Sequence, residues 1–313
     1  MTNFTKIPIL DLSNLTNGED TRKLAREFRE AYGTTGFSYV INHGVDENLV
    51  DAVFRASKNF HDQSLDKKMP LQIDKTHRGY IPINTSTDVT TDLAKVTKPN
   101  QSASYMIMKE DKLINPEIYL SGPNRWPDIS EFRAACEAYV SAMSDLGRKL
   151  MYLALQAIEV DDTRVLKSFD EPTTWLRLLH YPSQDKNSET DLYGSAPHKD
   201  FGCLTLLAQD DVGGLQVMTP AGDWVDAPRI PGSFVVNVGD MLRRLSNGLL
   251  LSTPHRVINR SGRERYSCPF FFDPHVNTII SPVKGTGKPL FEPILFADFL
   301  RSELEASYKA HKV

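Results

Sequence analysis

A chain of 313 residues sits near the upper limit for one hydrophobic core, so one large domain or two fused modules is expected. With 40% hydrophobic residues, 24% charged residues and a net charge of −4, it reads as a soluble globular protein without the basic footprint of a nucleic-acid binder. No apolar run approaches the roughly 20 residues that span a bilayer, and the first residues lack the charged end and apolar core of a secretory signal. Cys136, Cys203 and Cys268 are odd in number and far apart, with no CxxC pair. That argues against a disulfide framework or a zinc site and for a reducing, cytoplasmic setting.

Residues 7–13 predict a short strand ending in turn formers. Asp20 or Thr21 is placed to cap a helix to about Tyr32, with Leu24, Phe28 and Ala31 on one face and Gly33 closing it. Residues 36–44 predict a strand that ends at Asn42-His43-Gly44, a turn signal that makes His43 a turn residue and not a metal ligand. Asp46 caps a second helix carrying Leu49, Val53, Ala56 and Phe60. From 84 to 112 the chain is polar and irregular, either a solvated connection or a lid that faces a substrate. Met106, Met108 and Arg78 are weighed as substrate contacts against packing or surface roles.

Asp128 is placed to cap a long helix after Trp126-Pro127. In it Phe132, Cys136, Val140, Met143, Gly147, Leu150, Ala154 and Ala157 form one apolar stripe. Beyond Pro172 the pattern changes to short strands at 175–181, 202–208, 215–218, 224–227, 234–238, 255–259 and 265–272, the spacing of an all-β sandwich or barrel. In the tail, 295–312, Phe299, Leu300, Leu304 and Tyr308 recur at helical spacing and predict a closing helix.

The chemistry-bearing residues fall in the strand-rich half. His198 and Asp200 are two apart, so on an extended segment imidazole and carboxylate share a face. Of eight histidines, only His198 is followed two positions on by an acid. Such a pair alone is most often a surface pair, but His255 adds a second imidazole, and two His with one carboxylate suit Fe(II) with open positions left over. Zinc hydrolysis is the lesser alternative for the same donors. Arg265 and Ser267 are also two apart, after a turn at 259–262 that reverses the chain. A guanidinium fork and a hydroxyl on one face suit a carboxylate. Lys199 is expected to point away from the ligands into solvent; turned inward it would bind an anionic substrate. Phe271 alternates in phase with Ser267 and Pro269 and is a candidate substrate contact, with core packing as the other reading. Asp210, Asp211 and Asp240 neighbour glycines and are read as turn residues.

The ordered set His198-x-Asp200, His255 and Arg265-x-Ser267 resembles the isopenicillin N synthase-like group of Fe(II)/2-oxoglutarate-dependent dioxygenases. Residues 204–217 and 231–242 resemble it too, as do Ile7-Pro-Ile-Leu-Asp-Leu and Gly36-Phe-x-x-Val-x-Asn-His-Gly44, so the likeness covers nearly the whole chain. It implies a mainly β fold with flanking helices: a double-stranded β-helix, or jelly roll, carrying an α/β amino-terminal module, divided as 1–120 and 121–313. It also implies Fe(II) held by His198, Asp200 and His255. The distal carboxylate of 2-oxoglutarate would then be anchored by Arg265, Ser267 and Tyr181, with O2 as the other co-substrate. The reaction implied is oxidation, foremost hydroxylation, of an unactivated C–H bond of a small molecule, with release of succinate and CO2. Neither nucleic acid nor membrane is an expected partner. Two departures stand out: Leu179, where many members have Asn, and Lys199, where Thr or Ser is commoner. Three other readings stay open. An iron oxidase independent of 2-oxoglutarate is one, since isopenicillin N synthase and aminocyclopropane-carboxylate oxidase keep the Arg-x-Ser pair. Ethylene formation, suggested by residues 208–214 and 251–255, is another. A non-catalytic jelly-roll binding protein is the third, against which the intact triad and clamp stand.

Overall fold

The computed structural model describes residues 3–86, 93, 96, 98–160, 162–185 and 192–307. Its amino-terminal part runs β1 (Ile9–Asp11), α1 (Ser13–Asn17), α2 (Arg22–Thr34), β2 (Phe37–Ile41), α3 (Glu47–His61), α4 (Leu65–Lys68), β3 (Gly79–Ile81) and β4 (Ala103–Met108). The long helix α5 (Phe132–Ala157) and the short α6 (Thr163–Lys167) lead into β5 (Thr173–Tyr181), β6 (Ser195–His198), β7 (Leu204–Gln209), β8 (Leu215–Met218), β9 (Trp224–Asp226) and β10 (Phe234–Val238). Then follow α7 (Asp240–Leu245), β11 (His255–Val257), β12 (Arg265–Asp273), the pair β13 (Ile279–Ile280) and β14 (Ile294–Leu295), and α8 (Phe296–Ser307).

Strand alternation decides how these pieces stack. An eight-stranded sheet is ordered β1-β2-β10-β7-β12-β5-β4-β3, and a four-stranded sheet β6-β11-β8-β9. On the large sheet every second residue, such as Leu176, Leu178, Leu206, Val236, Phe270 and Phe272, enters the main core. That core is covered by α3 and α5, which pack on each other and on β5 and β12. The residues between them face the other way, towards the small sheet. There Leu179, Tyr181 and Val235 meet Leu215, Val217 and Val257 in a second apolar cluster. The two sheets facing across this interior form the jelly roll. Each large apolar side chain so buried contributes roughly 1.5–3 kcal/mol. Gly147 lets α5 approach the sheet, because a Cβ there would fall 2.6 Å from the ring of Phe272.

The strands expected from the sequence are present, with ends displaced by three residues at most. Asp46 caps α3, its side chain accepting from the Asn48 amide. Other expectations are corrected. Asp128 caps nothing: residues 129–132 close a turn, with the Phe132 amide donating to the Ile129 carbonyl at 3.3 Å, and α5 starts only at Phe132. Helix α2 runs through Gly33, and it is Gly36, at φ +70°, that redirects the chain into β2. The irregular reading of 84–112 fails at β4, all six of whose residues are buried between β3 and β5. A strand covered on both faces shows no polar alternation, so its pattern had no period to find. Residues 87–92, 94–95 and 97 of that stretch, and Tyr308 of the tail, lie outside the described residues.

Candidate active site

The small sheet brings the two imidazoles together. His198 ends β6 and His255 opens β11, and they are register partners, with ring centroids 4.3 Å apart. Asp200 lies just past β6. Its Oδ1 is 3.6 Å from Nε2 of His198 and 3.7 Å from Nε2 of His255, and one ligand atom from each of the three lies within 4.8 Å of the others. The carboxylate's second oxygen is already engaged. Oδ2 accepts from Thr205 Oγ1 at 2.5 Å and from Asn237 Nδ2 at 2.7 Å, which fixes the group and turns Oδ1 to the imidazoles. Nδ1 of His198 donates to the Ala196 carbonyl at 2.7 Å, and Nδ1 of His255 to the Thr253 carbonyl at 3.3 Å. Protonated there, each ring carries its lone pair on Nε2, the tautomer a metal needs. Burial by itself would raise the Asp200 carboxyl, but when the imidazoles carry a second proton, His255 first, then His198, with the Asn237 donor, hold it below the usual carboxylate range. Two neutral nitrogens and one ionised oxygen on a common point fit a ferrous ion with open positions.

Deeper between the sheets lies Arg265, fully buried on β12 opposite Tyr181 of β5. Its Nη1 donates to Ser267 Oγ at 3.3 Å and Nη2 to Gln209 Oε1 at 3.2 Å, both long bonds to neutral acceptors. The Tyr181 ring stacks 4.6 Å from the guanidinium carbon. Nε has no partner, and no ion pair reaches this arginine among the described residues. A buried cation so poorly compensated is costly unless a carboxylate joins it. Arg265, Ser267, Tyr181 and all three candidate ligands line one cavity, so the residues present fit iron at one end and a diacid's far carboxylate at the other.

A second lobe opens from His198 and Asp200 beneath α8. Phe271 lines both lobes, and Met106 lines the outer one. Arg78 is corrected: its guanidinium is buried and donates to the carbonyls of Thr76, Leu120 and Lys109, so it staples loops together away from the cavity. Lys199 is corrected too. It lies beyond the end of β6, where alternation no longer applies, and it is half-buried in the outer lobe's wall. Asp210 accepts from the amides of Tyr266 and Val212 and Asp211 pairs with Arg263 at 2.8 Å, both turn roles. Sequence reasoning missed Thr205, Asn237, Trp175 and Arg177. A signal was there for two of them: Asn237 is the single polar residue of β10, and Arg177 is a charged residue in the apolar middle of β5, each in phase with its inward-facing neighbours.

The sequence model of the 2OG-Fe(II) oxygenase superfamily matches residues 172–274, and that of the amino-terminal region of the non-haem dioxygenase in morphine synthesis matches residues 7–129. The chain is 36% identical to the 2-oxoglutarate-Fe(II) type oxidoreductase hxnY of Emericella nidulans, over 97% of this chain and 91% of that protein. It belongs to the 2OG-Fe(II) oxygenases. Solved structures superpose on it. A full-length Neurospora crassa protein in complex with alpha-KG and thymine does so with a TM-score of 0.83 at 28% identity, over 96% of each chain. JOX2 in complex with 2OG, Fe and JA gives a TM-score of 0.79 at 26% identity, over 97% of this chain and 89% of that one. As a 2OG-Fe(II) oxygenase of the isopenicillin N synthase-like group, the chain is an oxidoreductase that uses Fe(II), 2-oxoglutarate and O2.

Proposed function

We propose that this oxygenase hydroxylates an unactivated C–H bond of a small molecule, with His198, Asp200 and His255 as the iron ligands. When bound, iron with 2-oxoglutarate and O2 supplies the oxidising power: the keto acid leaves as succinate and CO2, and one oxygen atom enters the substrate. Thr205 and Asn237 hold Asp200 by Oδ2, so that Oδ1 alone is presented to the metal. Arg265, with Ser267 and Tyr181, receives the distal carboxylate of 2-oxoglutarate, and its planar fork sets that acid's direction along the cavity. Leu179, the register partner of Ser267, offers the co-substrate an apolar wall where a hydrogen-bonding side chain would otherwise reach it. Phe271, Trp175 and Met106 keep water from the substrate lobe. Thymine and JA, bound by the neighbouring structures, support a substrate of that size. The three cysteines are buried and free, which supports a reducing, cytoplasmic setting.

One observation carries this reading: a carboxylate oxygen faced by two Nε2 atoms, in the same cavity as a buried arginine that forms no ion pair among the described residues. The test is succinate release with Fe(II) under air and under nitrogen, with and without candidate small molecules. The reading expects succinate only with iron, 2-oxoglutarate and oxygen together, rising with the right substrate. Substrate oxidation that needs no 2-oxoglutarate would place the chain with the iron oxidases instead.

A further inference from the structure

Resting on that reading, we propose that the primary substrate is a small carboxylic acid with an apolar body, its carboxylate taken by Arg177 with Lys199 beside it. Arg177 lies in the middle of β5 and lines both lobes. Alternation puts it on the inner face with Trp175, Leu179 and Tyr181. Its Nε donates to Ser104 Oγ of the adjoining β4 at 2.9 Å. That bond sets the plane of the guanidinium. Among the described residues neither terminal nitrogen has a protein partner, and no acid forms an ion pair with the group. Half-buried, with the donors of its fork unused, such a side chain is organised in advance for a planar pair of oxygens.

The surroundings narrow the choice. Lys199 lines the same lobe and forms no ion pair among the described residues, so two cations share one wall. Among the described residues, the lobe's one acid outside the triad, Asp273, is already engaged by the Cys203 amide at 2.5 Å and Trp175 Nε1 at 3.1 Å. It is poorly placed to neutralise them. An amine substrate would meet two like charges, whereas an acid would relieve both. Beside the polar His77, Ser195 and Ser307, the lining carries five large apolar side chains: Trp175 and Phe271, whose rings meet edge-on at 6.1 Å, with Phe201, Met106 and Leu304. These suit a ring or a branched hydrocarbon body. Arg177 is distinct from the co-substrate clamp, because Arg265 lies deeper on β12 and outside the outer lobe.

The test is calorimetric, under nitrogen, on the full chain loaded with Fe(II) and 2-oxoglutarate. The probes are phenylacetate, 3-phenylpropionate and cyclohexanecarboxylate, each titrated against its own primary amide. At least one acid is expected to bind about 10- to 100-fold more tightly than its amide, the range for a charge-assisted pair. Arg177→Gln should abolish that preference and Lys199→Gln should narrow it several-fold, both keeping 2-oxoglutarate affinity within about twofold. Arg177→Lys, which keeps the charge and loses the fork, should retain part of it and serves where the Gln variant folds poorly. Amides binding as well as acids, no acid held by the wild type, or a preference that survives Arg177→Gln would each overturn the proposal. Separate titrations of Fe(II) and 2-oxoglutarate into the wild type report on the underlying reading. Failure there removes the oxygenase roles, whereas normal binding there with no acid preference removes only the carboxylic-acid inference.

Discussion

The two lobes of the cavity share His198 and Asp200 but are built differently. The inner lobe is strand throughout except for Asp200, just past β6. Arg265, Ser267, Pro269 and Phe271 of β12, Tyr181 of β5, Thr205 of β7 and Asn237 of β10 all face inward by the same two-residue repeat. The outer lobe is assembled from pieces far apart in the chain: His77 before β3, Met106 on β4, Lys199 after β6 and Leu304 on α8. A backbone ladder fixes the first to within a fraction of a side chain, so it suits an invariant co-substrate. The second is set by how loops and a helix end meet the sheet, and this is where specificity can change without disturbing the chemistry.

The comparison breaks first at the triad. Asp200→Ala should abolish turnover and weaken Fe(II) binding by more than the 10- to 100-fold typical of losing an outer hydrogen-bond partner, while circular dichroism stays native. Turnover at wild-type rate would remove Asp200 as a ligand. Asn237→Ala removes one of the two donors that hold Asp200 Oδ2, and iron affinity measured by anaerobic titration should fall about 10-fold. An unchanged affinity would mean that Thr205 alone orients the carboxylate. Arg78→Ala should lower unfolding stability by about 1–3 kcal/mol, through three orphaned carbonyls, and leave 2-oxoglutarate affinity as it was. A lost co-substrate affinity with intact stability would return Arg78 to the site.

The last effect concerns pH and belongs to the outer lobe. Burial pushes the Asp273 carboxyl from 3.8 up to about 7. A proton is thus held more tightly in the folded chain than in the unfolded one. The stability linked to this group is complete below about pH 4 and is lost as pH rises towards about 7. Asp273→Asn removes that slope, at most roughly 1.4 kcal/mol per pH unit. Relative to the wild type, the variant should therefore gain stability between about pH 4 and about pH 7 in urea unfolding. A difference constant across that window would mean that Asp273 is ionised throughout.

What was legible in the chain follows the same division. His198, His255, Arg265 and Ser267 could be placed because each sits on a strand whose period is two, and because two sheets that face each other bring such residues to a common interior; Asp200, past the end of β6, was placed by the family resemblance of His198-x-Asp200. Asn237 and Arg177 carried the same signal, a polar residue in phase with the inward face, and went unread. Lys199 and Arg78 could not be placed that way. One follows the end of a strand and the other lies in a loop, so no periodicity fixes their direction. Strand β4 was hidden for the opposite reason, being buried on both faces. The distant partners Met106, Leu304 and His77 come together only through tertiary packing, which no local pattern encodes.

The central claim is that iron and Arg265 grip the two ends of one acid. The direct measurement is anaerobic titration of 2-oxoglutarate and of 2-oxopentanoate, which has a methyl group in place of the far carboxylate, into the Fe(II)-loaded wild type and Arg265→Gln. The account predicts that the wild type prefers 2-oxoglutarate by about 100-fold, and that the variant binds the two acids alike with Fe(II) affinity unchanged. Equal binding of the two acids by the wild type, or a preference that outlives the loss of Arg265, would contradict it.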